Sequence, residues 1–434
     1  MVGPGYDYEI TNTEILLQLE VKDGQLVLPT GGKFSLLVLA DETEINPLVL
    51  KKLEALIDDG AIILGSQPEA VIALPDRTAD LATIIPRLWD QSTDRHVIAD
   101  QTPVTVLHTL GVGPDVDYVD RALYPIDFVH YQKDALDFYF LRNTADRWVS
   151  REIGFRQQQK IPEIWDAVSG EIVPVSVYTQ TDSHLRMPIS LPPFGALFVV
   201  FRPGTQNPIW SEIGMGQSHP PRLRHTNEGI MVMEDGRLTL RQNGRDVVIN
   251  HNLKHQPLTG AWEVFFDETG GAPRRAIFPQ LDSWTDADTE GIKYYSGTAR
   301  YEKTFQYGIH DHAVSDARVY LDLGDLSKVG EVWLNGKTLG VAWAKPYRFD
   351  VTDVLVPGSN ELKVEVANVW SNRMKGDRHT EGKDYTFSNI PETVIDGLNR
   401  TRVAWKDVPL IKSGLFGPVQ LITVVPVTKK AGNR

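Results

Sequence analysis

The polar segment between Ser371 and Asp407 contains the side chains that are best suited to chemistry in this chain. Regular alternation of apolar and polar residues stops after Trp370, and the segment is rich in Arg, Asp, Asn, His, Trp and Tyr. Aromatic faces pack against the C–H surfaces of sugars, while amide, carboxylate and guanidinium groups hydrogen-bond to sugar hydroxyls. Long segments without regular structure are usually functional or disordered. The composition therefore favours a carbohydrate-binding loop.

Carboxylates in the same segment raise the question of a glycosidase acid–base pair. They are Asp377, Glu381, Asp384, Glu392, Asp396 and Asp407. Such a pair needs two carboxyl groups about 5 to 10 Å apart across a sugar, one of which keeps its proton. Sequence spacing does not give that distance, and most carboxylates in a polar loop of an acidic protein are solvated or hydrogen-bonded. We therefore rank a catalytic pair lowest among the interpretations, and we expect His379 to be a surface residue.

Composition excludes several other kinds of site. The 434 residues include no cysteine, which rules out disulfides, thiolate metal sites and thiol nucleophiles. The net charge of −13 disfavours nucleic acid and anionic membranes as partners but leaves a neutral glycan unaffected. No run approaches about 18 apolar residues, and the first residues lack the features of a signal peptide. No transition-metal site is predicted, whereas a structural Ca²⁺ held by loop oxygens stays open.

The polar segment follows a series of predicted antiparallel strands. Residues 319–323, 332–334 and 362–366 alternate apolar with polar side chains, which is the period of a strand with one buried face. Asn335-Gly336 lies between two such runs and is typical of a type I′ turn, which requires two positive φ angles. The pattern predicts a sandwich or jelly roll, and we assign residues 205–434 to a jelly roll with a β lead-in.

The N-terminal region, residues 1–125, has a different pattern. An apolar run at 34–40, a helix that begins near Pro47 and a second run at 61–64 predict a βαβ unit, and a second helix is predicted over 78–89. This order favours a small flavodoxin-like α/β domain. Amidotransferase-like relatives of that fold use a cysteine nucleophile, which this chain lacks. We therefore expect this domain to have a structural role.

A β-sandwich is predicted over residues 126–204, between the other two domains. Short β-rich runs alternate there with Gly and Pro turn signals. Trp148 and Trp165 are expected in the core or between domains, because large aromatic residues dominate burial in small sandwiches. The predicted fold class is therefore multidomain, with one α/β domain followed by two all-β domains.

Motifs in the C-terminal part resemble a known family. In chain order they are Leu321-Asp-Leu-Gly, Val332-Trp-Leu-Asn-Gly-Lys, Pro346-Tyr-Arg-Phe-Asp-Val-Thr-Asp, Gly358-Ser-Asn-Glu-Leu and Val369-Trp-Ser-Asn-Arg. Together they resemble the galactose-binding-like, sugar-binding-type jelly roll. With upstream Gly260-Ala-Trp-Glu-Val-Phe-Phe, they are similar to the C-terminal part of glycoside hydrolase family 106, the α-L-rhamnosidase-like enzymes. The resemblance implies catalytic glutamates on an N-terminal (β/α)₈ barrel, whose eightfold pattern this sequence does not contain.

Three functions follow from the resemblance and from the composition of the polar segment, and we rank them. The first is a non-catalytic accessory region of an α-L-rhamnosidase-like glycoside hydrolase, lacking its catalytic barrel, with a separate barrel subunit as its partner in polysaccharide degradation. The second is a free-standing carbohydrate-binding protein. The third is an enzyme with its own carboxylate site in the 371–407 loop. We expect the chain alone to be inactive, although the resembling family is often exported to act on polysaccharides.

A surface that once met a barrel would now face water, another subunit or a glycan. The aromatic candidates for this surface are Trp284, Trp343, Tyr347, Trp370 and Trp405, and their polar partners are Asn372, Arg373 and Asp377. Two interpretations of the three polar residues stay open. Either they contact a ligand, or they hold the loop on the sandwich through buried hydrogen bonds.

Overall fold

The structure is a computed structural model of the 434-residue chain. It describes residues 3–72, 83–94, 96–118, 125–214, 220–308, 316–379, 385–386, 393–395 and 402–428. The fold is mostly β. Unit 1 comprises Met1–Tyr124 and Ile153–Arg156, and unit 2 comprises Pro125–Glu152 and Gln157–Arg434. None of the helices in the described ranges has the length and apolar character needed to cross a membrane.

Unit 1 combines short helices with short strands. Its described helices are α1 (Thr13–Leu16), α2 (Pro47–Asp58), α3 (Ile84–Leu88) and α4 (Pro103–Thr109). Its described strands are β1 (Glu20–Lys22), β2 (Gln25–Val27), β3 (Lys33–Phe34), β4 (Leu37–Val38), β5 (Glu44–Ile45), β6 (Ile63–Leu64), β7 (Ala70–Val71) and β8 (Val116–Tyr118). β1, β2 and β3 pair in antiparallel order, whereas β4 with β6 and β5 with β7 pair in parallel.

Helix α2 forms as its sequence predicts. The Asn46 side chain accepts a hydrogen bond from Leu48 N at 2.9 Å, and Pro47 occupies the first helical position. The buried face consists of Leu50, Leu53, Leu56 and Ile57. Since β4 and β6 flank α2 in the chain and pair in parallel, the predicted βαβ unit is present. The described parallel pairs are only two residues long, so the flavodoxin-like fold stays a prediction. Residues 78–82 of the second predicted helix lie outside the described residues.

Unit 2 is built from three successive groups of strands. The sandwich contains β9 (Ile126–Lys133), β10 (Leu136–Asn143), β11 (Val149–Phe155, whose last residues belong to unit 1), β12 (Lys160–Trp165), β13 (Ile172–Pro174), β14 (Thr179–Gln180), β15 (Leu185–Leu191) and β16 (Ala196–Pro203). The lead-in contains β17 (Glu212–Gly214), β18 (Leu223–Thr226), β19 (Gly229–Val232), β20 (Gly236–Gln242) and β21 (Arg245–His251).

The jelly roll supplies the remaining described strands. They are β22 (Lys254–Pro257), β23 (Trp262–Phe265), β24 (Arg275–Phe278), β25 (Thr298–Tyr307), β26 (Arg318–Asp322), β27 (Asp325–Leu326), β28 (Val329–Leu334), β29 (Lys337–Ala342), β30 (Arg348–Asp350), β31 (Gly358–Ala367), β32 (Thr393–Ile395), β33 (Arg402–Ala404), β34 (Leu415–Gly417), β35 (Gln420–Val424) and β36 (Val427–Thr428). The helices here are α5 (Glu290–Lys293) and α6 (Ser371–Asp377), with 3₁₀ turns at Glu268–Gly270, Trp284–Asp286 and Trp405–Asp407.

The sandwich contains an antiparallel sheet in the order β13, β12, β16, β10, β9. Side chains along β10 alternate: Tyr139 and Leu141 are fully buried, whereas Phe138 and Phe140 on the other face are half-buried. The sheet therefore carries apolar residues on both faces. In the lead-in, β19 pairs with β36, so this last described strand, which follows the jelly roll in the chain, adds to a sheet of the lead-in.

Two antiparallel sheets enclose the jelly-roll core. Their described strands follow the orders β24, β23, β25, β31, β28, β29 and β22, β35, β26, β30. Trp262, Tyr301, Leu321 and Val364 are among the residues that fill the space between them. The turn at Asn335-Gly336 has φ angles of 52° and 76°, which confirms the predicted hairpin between β28 and β29.

Candidate functional site

Helix α6 begins where the sequence predicts an irregular loop. Residues Ser371 to Asp377 are helical, and five of these seven residues are buried. Asn, Arg, Met and Lys side chains tolerate helical backbone, while the strand period of β31 ends at Ala367. The polar segment is therefore anchored at its start by a packed helix.

Asn372 ties α6 to residues 411–413. Its side-chain nitrogen donates to Ile411 O at 2.7 Å and to Ser413 Oγ at 3.0 Å, and its Oδ1 accepts from Ile411 N at 2.8 Å. Asn368, just after β31, donates to the same Ser413 Oγ at 2.9 Å. Because Asn372 is buried, its amide is engaged inside the protein rather than presented to a ligand.

Arg373 and Asp377 form a buried ion pair one helical turn apart. Arg373 Nε donates to Asp377 Oδ1 at 2.8 Å, and the two side chains are 2% and 4% exposed. The carboxylate also accepts from Tyr385 N at 3.2 Å, from Thr386 N at 3.0 Å and from the Thr386 hydroxyl. The Arg373 guanidinium lies over the Tyr385 ring, 4.7 Å from its centre. The pair therefore holds residues 385–386 against α6.

These contacts match the second interpretation of the three polar residues, in which they hold the loop through buried hydrogen bonds. Four donors occupy the oxygens of Asp377, so this carboxylate is not free to transfer a proton. Asp407 lies exposed at the end of a 3₁₀ turn. The other carboxylates of the segment, Glu381, Asp384, Glu392 and Asp396, lie outside the described residues. His379 is exposed, as expected, and packs edge-on against Tyr294.

Trp284 lies in the core rather than at the surface. It is fully buried, and its Nε1 donates to the Tyr301 hydroxyl at 2.6 Å. Leu415 N donates to the same hydroxyl at 3.1 Å, and burial raises the pKa of Tyr301 well above its usual value. Gly414 packs against both rings, since a Cβ there would lie 2.6 Å from the Tyr301 hydroxyl and 2.7 Å from Trp284 Nε1.

Tyr347 and Trp405 are buried as well. Tyr347 belongs to the jelly-roll core, and burial raises the pKa of its hydroxyl, with the negative charges of Asp325 and Asp146 adding to the shift. The expectation that Trp284, Tyr347 and Trp405 form an exposed surface is therefore corrected. Burying a large aromatic side chain removes much apolar area from water and so stabilises the fold. These three residues therefore pack into the interior instead of facing solvent.

Trp343 and Trp370 do lie on the surface, with 60% and 63% of their area exposed. β29 ends at Ala342 and β31 ends at Ala367, and both ends pair with the start of β28. The two tryptophans therefore follow strands that reach the same end of one sheet. They are the members of the aromatic set that a ligand or partner can reach.

Ser413 and Asn368 were not among the predicted site residues. Ser413 is fully buried, accepts from Asn368 and Asn372, and donates from its hydroxyl to Ile411 O at 2.9 Å. In the sequence, the position of Asn368 directly after an apolar strand is the signal that points to its role. Within the ranges that the structure describes, no group of three or more His, Asp or Glu side chains is placed to hold a metal.

Two family models match this chain. Residues 2–180 match the family described as alpha-L-rhamnosidase. Residues 283–403 match the family described as glycosyl hydrolase 2 galactose-binding domain-like, and this range includes Trp284, Trp343 and α6. Residues 2–180 are therefore similar to the alpha-L-rhamnosidase family. The jelly roll of the chain is galactose-binding-like, as its motifs predicted.

Known proteins agree with this assignment. A solved structure of a rhamnosidase from Novosphingobium sp. PP1Y is 28% identical, with a TM-score of 0.68, over 94% of this chain and 35% of that protein. A curated relative from Formosa agariphila, named "Putative beta-glucuronidase", is 23% identical over 97% of this chain and 53% of the relative. The chain therefore spans about half the length of the curated relative. The two names specify different sugars, so the comparisons show similarity to glycoside hydrolases and do not indicate one substrate.

Proposed function

We propose that this chain is a non-catalytic accessory region of an α-L-rhamnosidase-like glycoside hydrolase that degrades polysaccharide. The observation that carries the proposal is the engagement of Asp377. Its oxygens accept from Arg373, from two backbone N–H groups and from a hydroxyl. A general acid or base must instead reach the proton that it transfers. Asp377 therefore anchors the loop to α6.

The extent of the match to relatives also supports an accessory role. The chain corresponds to 35% of the solved rhamnosidase. The catalytic acid and base then belong to a barrel, and the partner of this chain is such a barrel as a separate subunit. In this arrangement the N-terminal flavodoxin-like domain has a structural role.

A hydrolysis assay tests the proposal. The purified chain is incubated with 4-nitrophenyl α-L-rhamnopyranoside and 4-nitrophenyl β-D-glucuronide, and release of nitrophenol is followed. We expect no turnover above buffer. Turnover by the folded chain that disappears when Asp407 and the other loop carboxylates are changed to their amides would refute the accessory role.

A second function, a free-standing carbohydrate-binding protein, is favoured by the exposure of Trp343 and Trp370. Exposed indoles at one end of a sheet offer faces to sugar rings. Isothermal titration with rhamnose-containing oligosaccharides, before and after Trp343→Ala or Trp370→Ala, separates the two functions. Binding that these substitutions abolish without lowering the melting temperature supports the second function.

A further inference from the structure

A row of apolar side chains crosses the outward face of the five-strand sheet described for the sandwich. Strand pairing places Val129, Phe140, Phe198, Trp165 and Ile172 side by side on β9, β10, β16, β12 and β13. Side chains next to them in each strand point to the opposite face, because successive residues alternate. The two residues at the ends of the row are exposed, and the three aromatic residues between them are half-buried.

A second row runs parallel to the first. It consists of Tyr131, Phe138, Val200, Glu163 and Pro174. Tyr131 is 67% exposed, Phe138, Glu163 and Pro174 are half-buried, and Val200 is fully buried beneath its neighbours. The rows are packed together, since Phe138 meets the Trp165 ring edge-on with 5.8 Å between ring centres. Phe140 and Phe198 are 5.1 Å apart. We call these two rows the aromatic platform.

Ion pairs border the platform. Arg142 contacts Asp127 at 2.5 Å on one side, and Arg202 contacts Glu163 at 2.8 Å on the other. The Arg202 guanidinium lies 5.7 Å from the centre of the Trp165 ring, and Trp165 Nε1 donates to Glu163 at 2.9 Å. Two arginines and two carboxylates cancel in charge. These ion pairs therefore place planar hydrogen-bonding groups around an apolar stripe and add no net charge of their own.

The area of the platform distinguishes a protein partner from a narrow ligand. Strands about 4.8 Å apart and residues about 3.3 Å apart along each strand give the two rows a footprint of about 300 Å², of which the exposed part is smaller because Val200 is fully buried. A stable protein interface buries about 800 Å² on each partner. The largest exposed apolar patch on a typical monomer covers about 300–600 Å² and is often functional. A second copy of this chain would need more contact area than the stripe provides, whereas a narrow ligand would not.

We propose that the aromatic platform binds a neutral glycan chain that lies across the strands. Adjacent strands carry Phe140, Phe198 and Trp165 at a spacing comparable to the length of a pyranose ring, so successive sugars meet successive rings. Arg142, Arg202 and their carboxylate partners then bond the hydroxyls at the edges of the chain. Trp165, expected in the core or between domains, acts here as a ligand platform. The site shares no residue with α6, and it stands whether or not the chain hydrolyses glycosides.

Affinity electrophoresis of the full chain tests the site. Gels contain the neutral polysaccharides xyloglucan, arabinogalactan or mixed-linkage β-glucan, or the acidic polygalacturonate. We expect retardation by at least one neutral polysaccharide and none by polygalacturonate. Trp165→Ala and Tyr131→Ala should each weaken that binding about tenfold. Tyr8→Ala, an exposed tyrosine of unit 1 that belongs to no proposed site, is the matched control for Tyr131→Ala and should leave the binding unchanged.

Three outcomes would overturn the proposal. One is the absence of retardation in every neutral gel, and another is loss of binding in Trp343→Ala but not in the platform variants. The third is a concentration-dependent dimer, seen by light scattering, that Tyr131→Ala converts to a monomer, because the face would then be a protein interface. Tyr131 is exposed, so its substitution tests the site even if Trp165→Ala fails to fold. Nitrophenyl-glycoside turnover is measured separately, so failure of the accessory role is distinguished from failure of this site.

Discussion

Replacing Asp377 with alanine should destabilise the jelly roll strongly. The substitution leaves the Arg373 guanidinium, which is 2% exposed, without a counter-charge, and it removes the acceptor for Tyr385 N and Thr386 N. Breaking a buried pair by removing one partner costs about 3–5 kcal/mol. For a domain of this size, 1 kcal/mol shifts the melting temperature by about 2–4 °C. We therefore expect melting about 10 °C below that of the unaltered chain.

Differential scanning calorimetry measures this shift. Asp407→Ala is the matched control, because Asp407 is exposed in the same segment, and it should change stability by no more than about 0.5 kcal/mol. Arg373→Ala should also destabilise, since it leaves the Asp377 carboxylate buried without its cation. The double variant Arg373→Met/Asp377→Leu removes both charges and should lose less stability than the sum of the two single alanine variants.

A melting temperature for Asp377→Ala within about 1 °C of the unaltered chain would refute this reasoning. The ion pair would then not anchor the loop. If the same variant also lost a hydrolytic activity, Asp377 would become a candidate catalytic residue and the accessory role would fail.

Three further predictions concern other parts of unit 2. Trp343→Ala and Trp370→Ala should each change the free energy of unfolding by less than about 0.5 kcal/mol in urea titrations, because both side chains are exposed. Gly414→Ala should lower that free energy by about 1–3 kcal/mol, because its Cβ would overlap two buried rings; a urea midpoint equal to that of the unaltered chain would contradict the packing. Burial lowers the pKa of His225 from 6.5 to about 4, so the unfolded state binds the proton first and stability falls as pH drops from 6.5 towards 4. His225 should account for a fall of about 2 kcal/mol in the free energy of unfolding between pH 7 and pH 5. His225→Asn should remove that part of the fall, and a pH profile of stability equal to that of the unaltered chain would contradict the prediction.

Local sequence patterns determine the jelly-roll strands and helix α2. The alternating runs at 319–323, 332–334 and 362–366 became β26, β28 and β31. Asn335-Gly336 specified its hairpin, because few other dipeptides adopt two positive φ angles. The Asn46 cap and Pro47 set the start of α2. Such features depend on residues close together in the chain, so they are readable without the tertiary structure.

The role of each candidate residue depends on partners that are distant in the chain. Ser413 meets Asn372 from 41 residues away, and Trp284 meets Tyr301 within a core that several strands enclose. Nothing in the spacing of the tryptophans separates the buried Trp284 from the exposed Trp370. Burial is decided by which elements pack over a residue, and this information is spread along the whole chain.

The aromatic platform is the clearest example of a surface that the sequence alone does not indicate. Residues 138–141 read Phe-Tyr-Phe-Leu, a continuous apolar run that is typical of a strand covered on both faces. The sequence by itself therefore determines that β10 is a strand but does not indicate which face is outward. Packing of the sheet decided it, because Tyr139 and Leu141 lie in the core while Phe138 and Phe140 remain half-buried on the other face. Only the tertiary structure brings five strands together so that isolated apolar residues form one surface.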